Sequence, residues 1–107
     1  MNGSKKLKFN AVVGNPPYQV MDGGGAGYSA IPIYDKFVSV SNQINAQYIT
    51  LIIPARWYAG GKGLDVFRKE MLNNKHFKYL YDFPESREVF ETADIAGGIC
   101  YFLLDRS

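Results

Sequence analysis

Cysteine and histidine are scarce in this chain of 107 residues, with one of each. Cys100 has no partner for an intrachain disulfide and sits in the apolar run Gly98-Ile99-Cys100-Tyr101-Phe102-Leu103-Leu104. It therefore reads as a small buried residue in a reducing compartment. His76 has no Cys, His or carboxylate at ligand spacing, so no metal site is expected and a surface position after a helix suits it. No apolar run approaches the roughly 18 residues of a membrane span, and Met1 to Lys8 is polar where a signal peptide would be apolar. A cytoplasmic protein with no membrane partner is the expectation.

Charge is also sparse in one respect: 12 basic against 10 acidic residues leave a net charge of +2, with no Lys/Arg block long enough to be an electrostatic footprint for nucleic acid. The glycine-rich stretches do not supply a phosphate cradle. Asp22 to Ser29 contains no Gly-x-Gly-x-x-Gly after a strand, and Ala59-Gly60-Gly61-Lys62-Gly63 lacks the Ser or Thr and the spacing of a P-loop, so both read as loops. Hydrophobic residues at 47% and charged residues at 21% argue for a globular chain, of a length that suits one domain but is short for a complete two-substrate enzyme. Aromatic residues are plentiful, eight Tyr and seven Phe; most must be core, but some are available to stack on a planar ligand.

Along the chain, Phe9 to Val13 reads as a buried strand ended by Gly14-Asn15-Pro16-Pro17, and a glycine-rich loop follows. Ser29 and Pro32 signal a helix start, after which Ile33, Tyr34, Phe37, Val38 and Ile44 share one face. Tyr48 to Pro54 (YITLIIP) is a continuous apolar run, as expected of a strand covered on both faces. A loop from Ala55 to Lys62 leads to a second amphipathic helix marked by Leu64, Phe67, Met71 and Leu72 and ending at Asn73-Asn74-Lys75. Phe77 to Phe83, with its alternating aromatics, and Gly98 to Leu104 are further strands, joined by irregular residues from Pro84 to Gly97. The order strand-helix-strand-helix-strand-strand predicts an α/β fold with a C-terminal antiparallel hairpin.

In an open α/β sheet, ligands bind beyond the carboxyl ends of the strands, where Asn15-Pro16-Pro17-Tyr18 and Pro54-Ala55-Arg56-Trp57-Tyr58 are both expected. The Asn15 carbonyl oxygen and the Pro16 backbone carbonyl can together accept both hydrogens of a planar exocyclic amine. Tyr18 adds a flat face on which the ring bearing that amine can stack. Arg56 and Trp57 are candidates for contact with DNA backbone or base, with a solvated Arg and a packing Trp equally open.

Asn15-Pro16-Pro17-Tyr18 after an apolar strand resembles the catalytic motif of amino-group methyltransferases dependent on S-adenosylmethionine. The continuation resembles the adenine-N6 DNA methyltransferases of restriction-modification systems, in their Eco57I-like branch. It comprises Ile33-Tyr34 to Phe37, Leu51-Ile52-Ile53-Pro54, Leu64 to Leu72, Tyr81-Asp82-Phe83, Val89-Phe90 and Gly97 to Phe102. The resemblance implies a partial Rossmann-like methyltransferase sheet acting on double-stranded DNA, with a flipped adenine whose N6 donates to Asn15 and the Pro16 carbonyl while Tyr18 stacks on the base. A second ring is implied on the far side of the base. Phe102 is the candidate, Tyr101 is its neighbour on the opposite strand face, and Phe90 is a third choice.

The family's S-adenosylmethionine site is built from earlier segments and its target-recognition domain from later ones, so residues 1–107 are expected to be the second half of a catalytic domain, with its cofactor residues upstream of Met1. Alone, this half is expected to be inactive. Its partner would be the missing N-terminal half, or a second copy in a homo-oligomer that covers exposed apolar surface. Protein-glutamine and RNA amino-methyltransferases share the motif and remain alternatives, as does a non-catalytic remnant or interaction module.

Overall fold

The computed structural model describes residues 9–21, 30–89 and 97–107. The chain enters on a short strand, β1 (Ala11–Gly14), which stops where Pro16 and Pro17 remove the amide donors that a ladder needs. Two strands of 3 residues follow, β2 (Gln19–Met21) and β3 (Ala30–Pro32), paired antiparallel with Val20 opposite Ile31. This small hairpin stands where only a loop was expected, because strands so short carry no readable alternation. Asp22 to Ser29 lie outside the described residues. Pro32 closes β3 instead of opening a helix, and α1 (Tyr34–Gln43) starts after Ile33 with no side-chain cap.

The rest of the chain follows the expected order. β4 (Tyr48–Pro54) runs into a 3-10 turn over Ala55–Tyr58, where the sequence suggested only loop. Then come α2 (Asp65–Asn73), β5 (Phe77–Phe83), a second 3-10 turn at Ser86–Glu88 and β6 (Ile99–Asp105). The 4-stranded sheet has the order β1-β4-β6-β5. β1 is parallel to β4, with Ala11 beside Tyr48 and Gly14 beside Leu51, and Asn10 extends the pairing by accepting from the Tyr48 amide at 2.9 Å. β6 is antiparallel to both β4 and β5, so β5 and β6 do form the expected antiparallel pair, while β6 also reaches back to β4. The architecture is α/β, a mixed sheet with two helices.

Register fixes which side chains share a face. Ile49, Leu51 and Ile53 of β4 lie with Cys100, Phe102 and Leu104 of β6 on the face against which Tyr34 and Val38 of α1 and Phe67 and Met71 of α2 pack. Ile49, Ile53, Phe102 and Leu104 are fully buried, each contributing roughly 1.5–3 kcal/mol of hydrophobic stabilisation. Helical spacing explains the selection: Phe67 and Met71 are one turn apart, whereas Leu72, expected on the same face, is rotated about 100° further and is 61% exposed. Phe37 is likewise displaced from the buried stripe of Tyr34 and Val38.

The reverse face is different. Thr50 and Ile52 of β4 are only half-buried, so the continuous apolar run of this strand is covered on one face among the described residues, not two. A shift of register between Phe77 and Tyr79 makes a bulge in β5. It turns Phe77 into the core, stacked on Phe102, and sends Tyr79 and Tyr81 to the reverse face, where a simple alternation would have put all three rings together.

Candidate active site

Parallel neighbours deliver their carboxyl ends to the same edge of the sheet. Asn15-Pro16-Pro17-Tyr18 leaves β1 there and the Ala55–Tyr58 turn leaves β4 there, while antiparallel β6 begins at that edge. The Ala55 amide donates to the Gly98 carbonyl at 3.1 Å, tying the turn to the start of β6. Gly98 must be glycine: its φ is +79°, and a Cβ would collide with the Phe83 carbonyl and Pro84. That close approach draws the ends of β5 and β6 in beside the turn.

Within the motif, Asn15 and Pro17 are exposed and Pro16 and Tyr18 are half-buried. The Tyr18 carbonyl accepts from the Ile33 amide at 3.0 Å, which closes the β2–β3 excursion and anchors the motif one residue before α1. The Tyr18 hydroxyl points inward, buried, with no hydrogen-bond partner among the described residues. Burial, and then the nearby Cys100, push its pKa up. Asn15 therefore presents its carboxamide at the surface while the neighbouring ring is held from below.

The other expected residues separate. Arg56 is exposed at the same edge, close enough to Tyr34 to favour its ionised form against the larger effect of burial. Trp57 is only 2% exposed and meets Tyr58 and Phe67 edge-to-face at 5.0 and 5.6 Å, so it is a packing residue and offers no face to a nucleic acid. Phe102 is wholly enclosed, stacked on Phe77 at 6.0 Å between sheet and helices, and presents no surface to the motif. Tyr101 lies on the reverse face, stacked on Tyr81 at 4.9 Å and Phe83 at 5.7 Å. The alternation of the two rings is as the strand dictates, but the helices cover the Phe102 side. Phe90 lies outside the described residues.

Around this edge the structure brings in residues to which the sequence assigned no part in the site. Tyr34, at the first position of α1, is buried, and its hydroxyl pKa is raised mainly by burial and further by Cys100 and Asp35. Tyr58 donates to Asp82 Oδ1 at 2.8 Å, and burial together with that bond raises the tyrosine pKa. Arg68 holds the same turn through a 2.7 Å bond from its Nε to the Tyr58 carbonyl. Burial also raises the Cys100 thiol, although the Trp57 and Tyr58 donors beside the sulfur favour the thiolate. The available signal was the polar tip on an aromatic ring at an apolar helix position, as at Tyr34. Asn15 can offer an amine its carboxamide oxygen as a surface acceptor, at the sheet edge that also carries the exposed Arg56.

The family described as Eco57I restriction-modification methylase matches residues 1–90. A protein of Mycoplasma pneumoniae described as an uncharacterized adenine-specific methylase is 35% identical over 99 residues, covering 91% of this chain and 24% of its own length. The chain thus spans about a quarter of the curated relative that it matches.

Proposed function

Because the chain belongs to the Eco57I restriction-modification methylase family, we propose that it forms the base-holding part of an enzyme that methylates N6 of a flipped adenine in double-stranded DNA. The observation that carries this reading is the position of Asn15-Pro16-Pro17-Tyr18: it leaves the carboxyl end of β1, with Asn15 exposed and Tyr18 anchored behind it. In the proposal the Asn15 side chain and the Pro16 carbonyl accept the two N6 hydrogens. That geometry draws the N6 lone pair, otherwise delocalised into the ring, onto the nitrogen, and the Tyr18 ring bears on the base. Arg56 at the same edge suits a phosphate of the strand from which the base is drawn. The name of the Mycoplasma relative supports adenine as the substrate.

A methylase needs a methyl donor, and S-adenosylmethionine would supply the methyl as an electrophilic sulfonium. The residues described around the motif do not fit the whole of that group. Of two carboxylates that could take ribose hydroxyls, Asp82 accepts from Tyr58 and Asp35 pairs with Lys36 at 3.1 Å through one oxygen, its other oxygen being buried away from ligand, without a partner among the described residues. The donor site is assigned to the remainder of a longer catalytic domain, which would dock on the reverse face of the sheet and along the β1 edge not paired with β4. The apolar exposure there supports the assignment, as does the share of the relative's length that this chain spans.

Mass spectrometry of DNA treated with the intact protein and S-adenosylmethionine tests the reading. N6-methyladenine is the expected product. Methylation of protein glutamine or of RNA, with none on DNA adenine, would contradict it.

A further inference from the structure

Arg68 and Arg106 engage their guanidinium groups inside the fold. Arg68 Nε donates to the Tyr58 carbonyl at 2.7 Å, and Arg106 grips Asn42 with bonds of 3.1 and 2.8 Å to its carbonyl and side-chain oxygens. Arg56 differs: it is exposed, and its guanidinium makes no hydrogen bond or ion pair among the described residues. Asp82, a carboxylate near the same sheet edge, accepts from Tyr58 instead. The Arg56 stem, by contrast, is seated. It lies against Gly97, so close that a Cβ there would stand 3.3 Å from Cγ, tighter than an ordinary contact. Gly97 also has a φ of +84°, in the left-handed region that glycine enters freely. The seat is braced, because the Ala55 amide donates to the Gly98 carbonyl at 3.1 Å and Gly98 itself abuts the Phe83 carbonyl and Pro84.

We propose that Gly97 is a positioning residue for Arg56: it lets the arginine stem pack on the backbone just before β6 and leaves the guanidinium free to take a DNA phosphate beside the flipped base. The place suits that contact. Arg56 follows the carboxyl end of β4, which is parallel to β1 and so delivers its end to the edge from which Asn15 leaves. It stands within electrostatic reach of Tyr34, whose neighbour Ile33 is bonded to Tyr18. A guanidinium presents paired N–H donors that match phosphate oxygens, and none of the described residues occupies those of Arg56.

Energetics explain why the seat matters. A long side chain that must be ordered on binding gives away up to about tenfold in affinity, and a stem already packed in the free protein avoids part of that loss. A side chain at position 97 pushes the stem aside and restores the loss. This step rests on the reading of the chain as the base-holding part of a DNA methylase. It adds what fixes the phosphate contact, and it assigns Gly97 a part beyond closing the turn before β6.

DNA binding by the intact protein, titrated over a range of salt concentrations, tests the seat. Arg56→Ala should weaken binding by roughly tenfold and lower the slope of log K against log salt by about 0.9, the value for one lost phosphate contact. Gly97→Asn carries a Cβ but tolerates a positive φ, and should weaken binding by about threefold to tenfold. In an Arg56→Ala background the same Gly97→Asn change should cost less than about twofold. An equal loss in both backgrounds would mean that residue 97 acts through the backbone, and would overturn the seat. An Arg56→Ala protein with an unchanged salt slope would overturn the phosphate contact. Formation of N6-methyladenine is scored separately. Methylation of DNA adenine by wild type together with an additive cycle leaves the methylase reading standing without the seat, whereas a coupled cycle with no N6-methyladenine keeps the seat and sinks that reading.

Discussion

Beneath α1 and α2, Ile49, Ile53, Phe102 and Leu104 lose all contact with solvent, whereas on the reverse face of the same sheet Val13 stays 69%, Tyr79 58% and Tyr81 50% exposed. The reverse face is the more polar, with Thr50 and its tyrosines, yet Val13 and Ile52 stand on it too, so composition alone does not explain the contrast; neighbours contribute. Among the described residues, one face has found both amphipathic helices and the other only its own ladder of stacked rings, Tyr79 to Tyr81 to Tyr101 to Phe83. Tyrosine suits such a surface because its ring packs while its hydroxyl stays wet. The exposed Val13, Tyr79 and Tyr81 on this face are apolar surface that a docked partner would cover, which is why the proposal places the rest of a catalytic domain there.

The sharpest way to break the comparison is to truncate one ring on each face. Phe102→Ala should cost about 3–5 kcal/mol in urea unfolding, enough to threaten a domain of this size, because it empties the space between sheet and helices. Tyr81→Ala should cost less than about 1 kcal/mol, since half of that ring is already in water. Equal losses would mean that the reverse face is covered in solution. A smaller effect, on association, sharpens the same point. The isolated chain should self-associate at micromolar concentration in sedimentation, and Tyr79→Ser combined with Tyr81→Ser should weaken that association about tenfold, or roughly 1.4 kcal/mol. A wild-type chain that sediments as a monomer throughout would contradict it. Smallest is the tie at the rim of the helix-covered face: Tyr58→Phe, which removes the bond to Asp82, should lower stability by about 0.5–1.5 kcal/mol, while Tyr101→Phe on the reverse face changes it by a few tenths.

Much of the scaffold was legible because its signals are local. The apolar run Tyr48–Pro54 and the aromatic run Phe77–Phe83 bound their strands to the residue, and the prolines after Gly14 stop β1 at the motif. What escaped depends on events between elements. Strand parity put Phe102 and Tyr101 on opposite faces, but which face the helices cover is decided by how α1 and α2 cross the sheet, so Phe102 became core. The bulge at Lys78 leaves no mark in the pattern, and it alone separates Phe77 from Tyr79. Trp57 looked available on a loop, yet the 3-10 turn folds it against Phe67 of α2. At the site, the motif and its strand could be read directly, while the inward hydroxyls of Tyr18 and Tyr34 required the packed structure.

The claim at the centre of the account is that Asn15 holds the reacting amine. Methyl transfer to DNA adenine should be measured in the intact protein and its Asn15→Ala variant, alongside DNA binding by each. The account predicts a fall in kcat of at least about 100-fold with DNA affinity changed by less than about fivefold, since the acceptor matters most as charge develops on the amine. An Asn15→Ala protein that methylates adenine at the wild-type rate would contradict it.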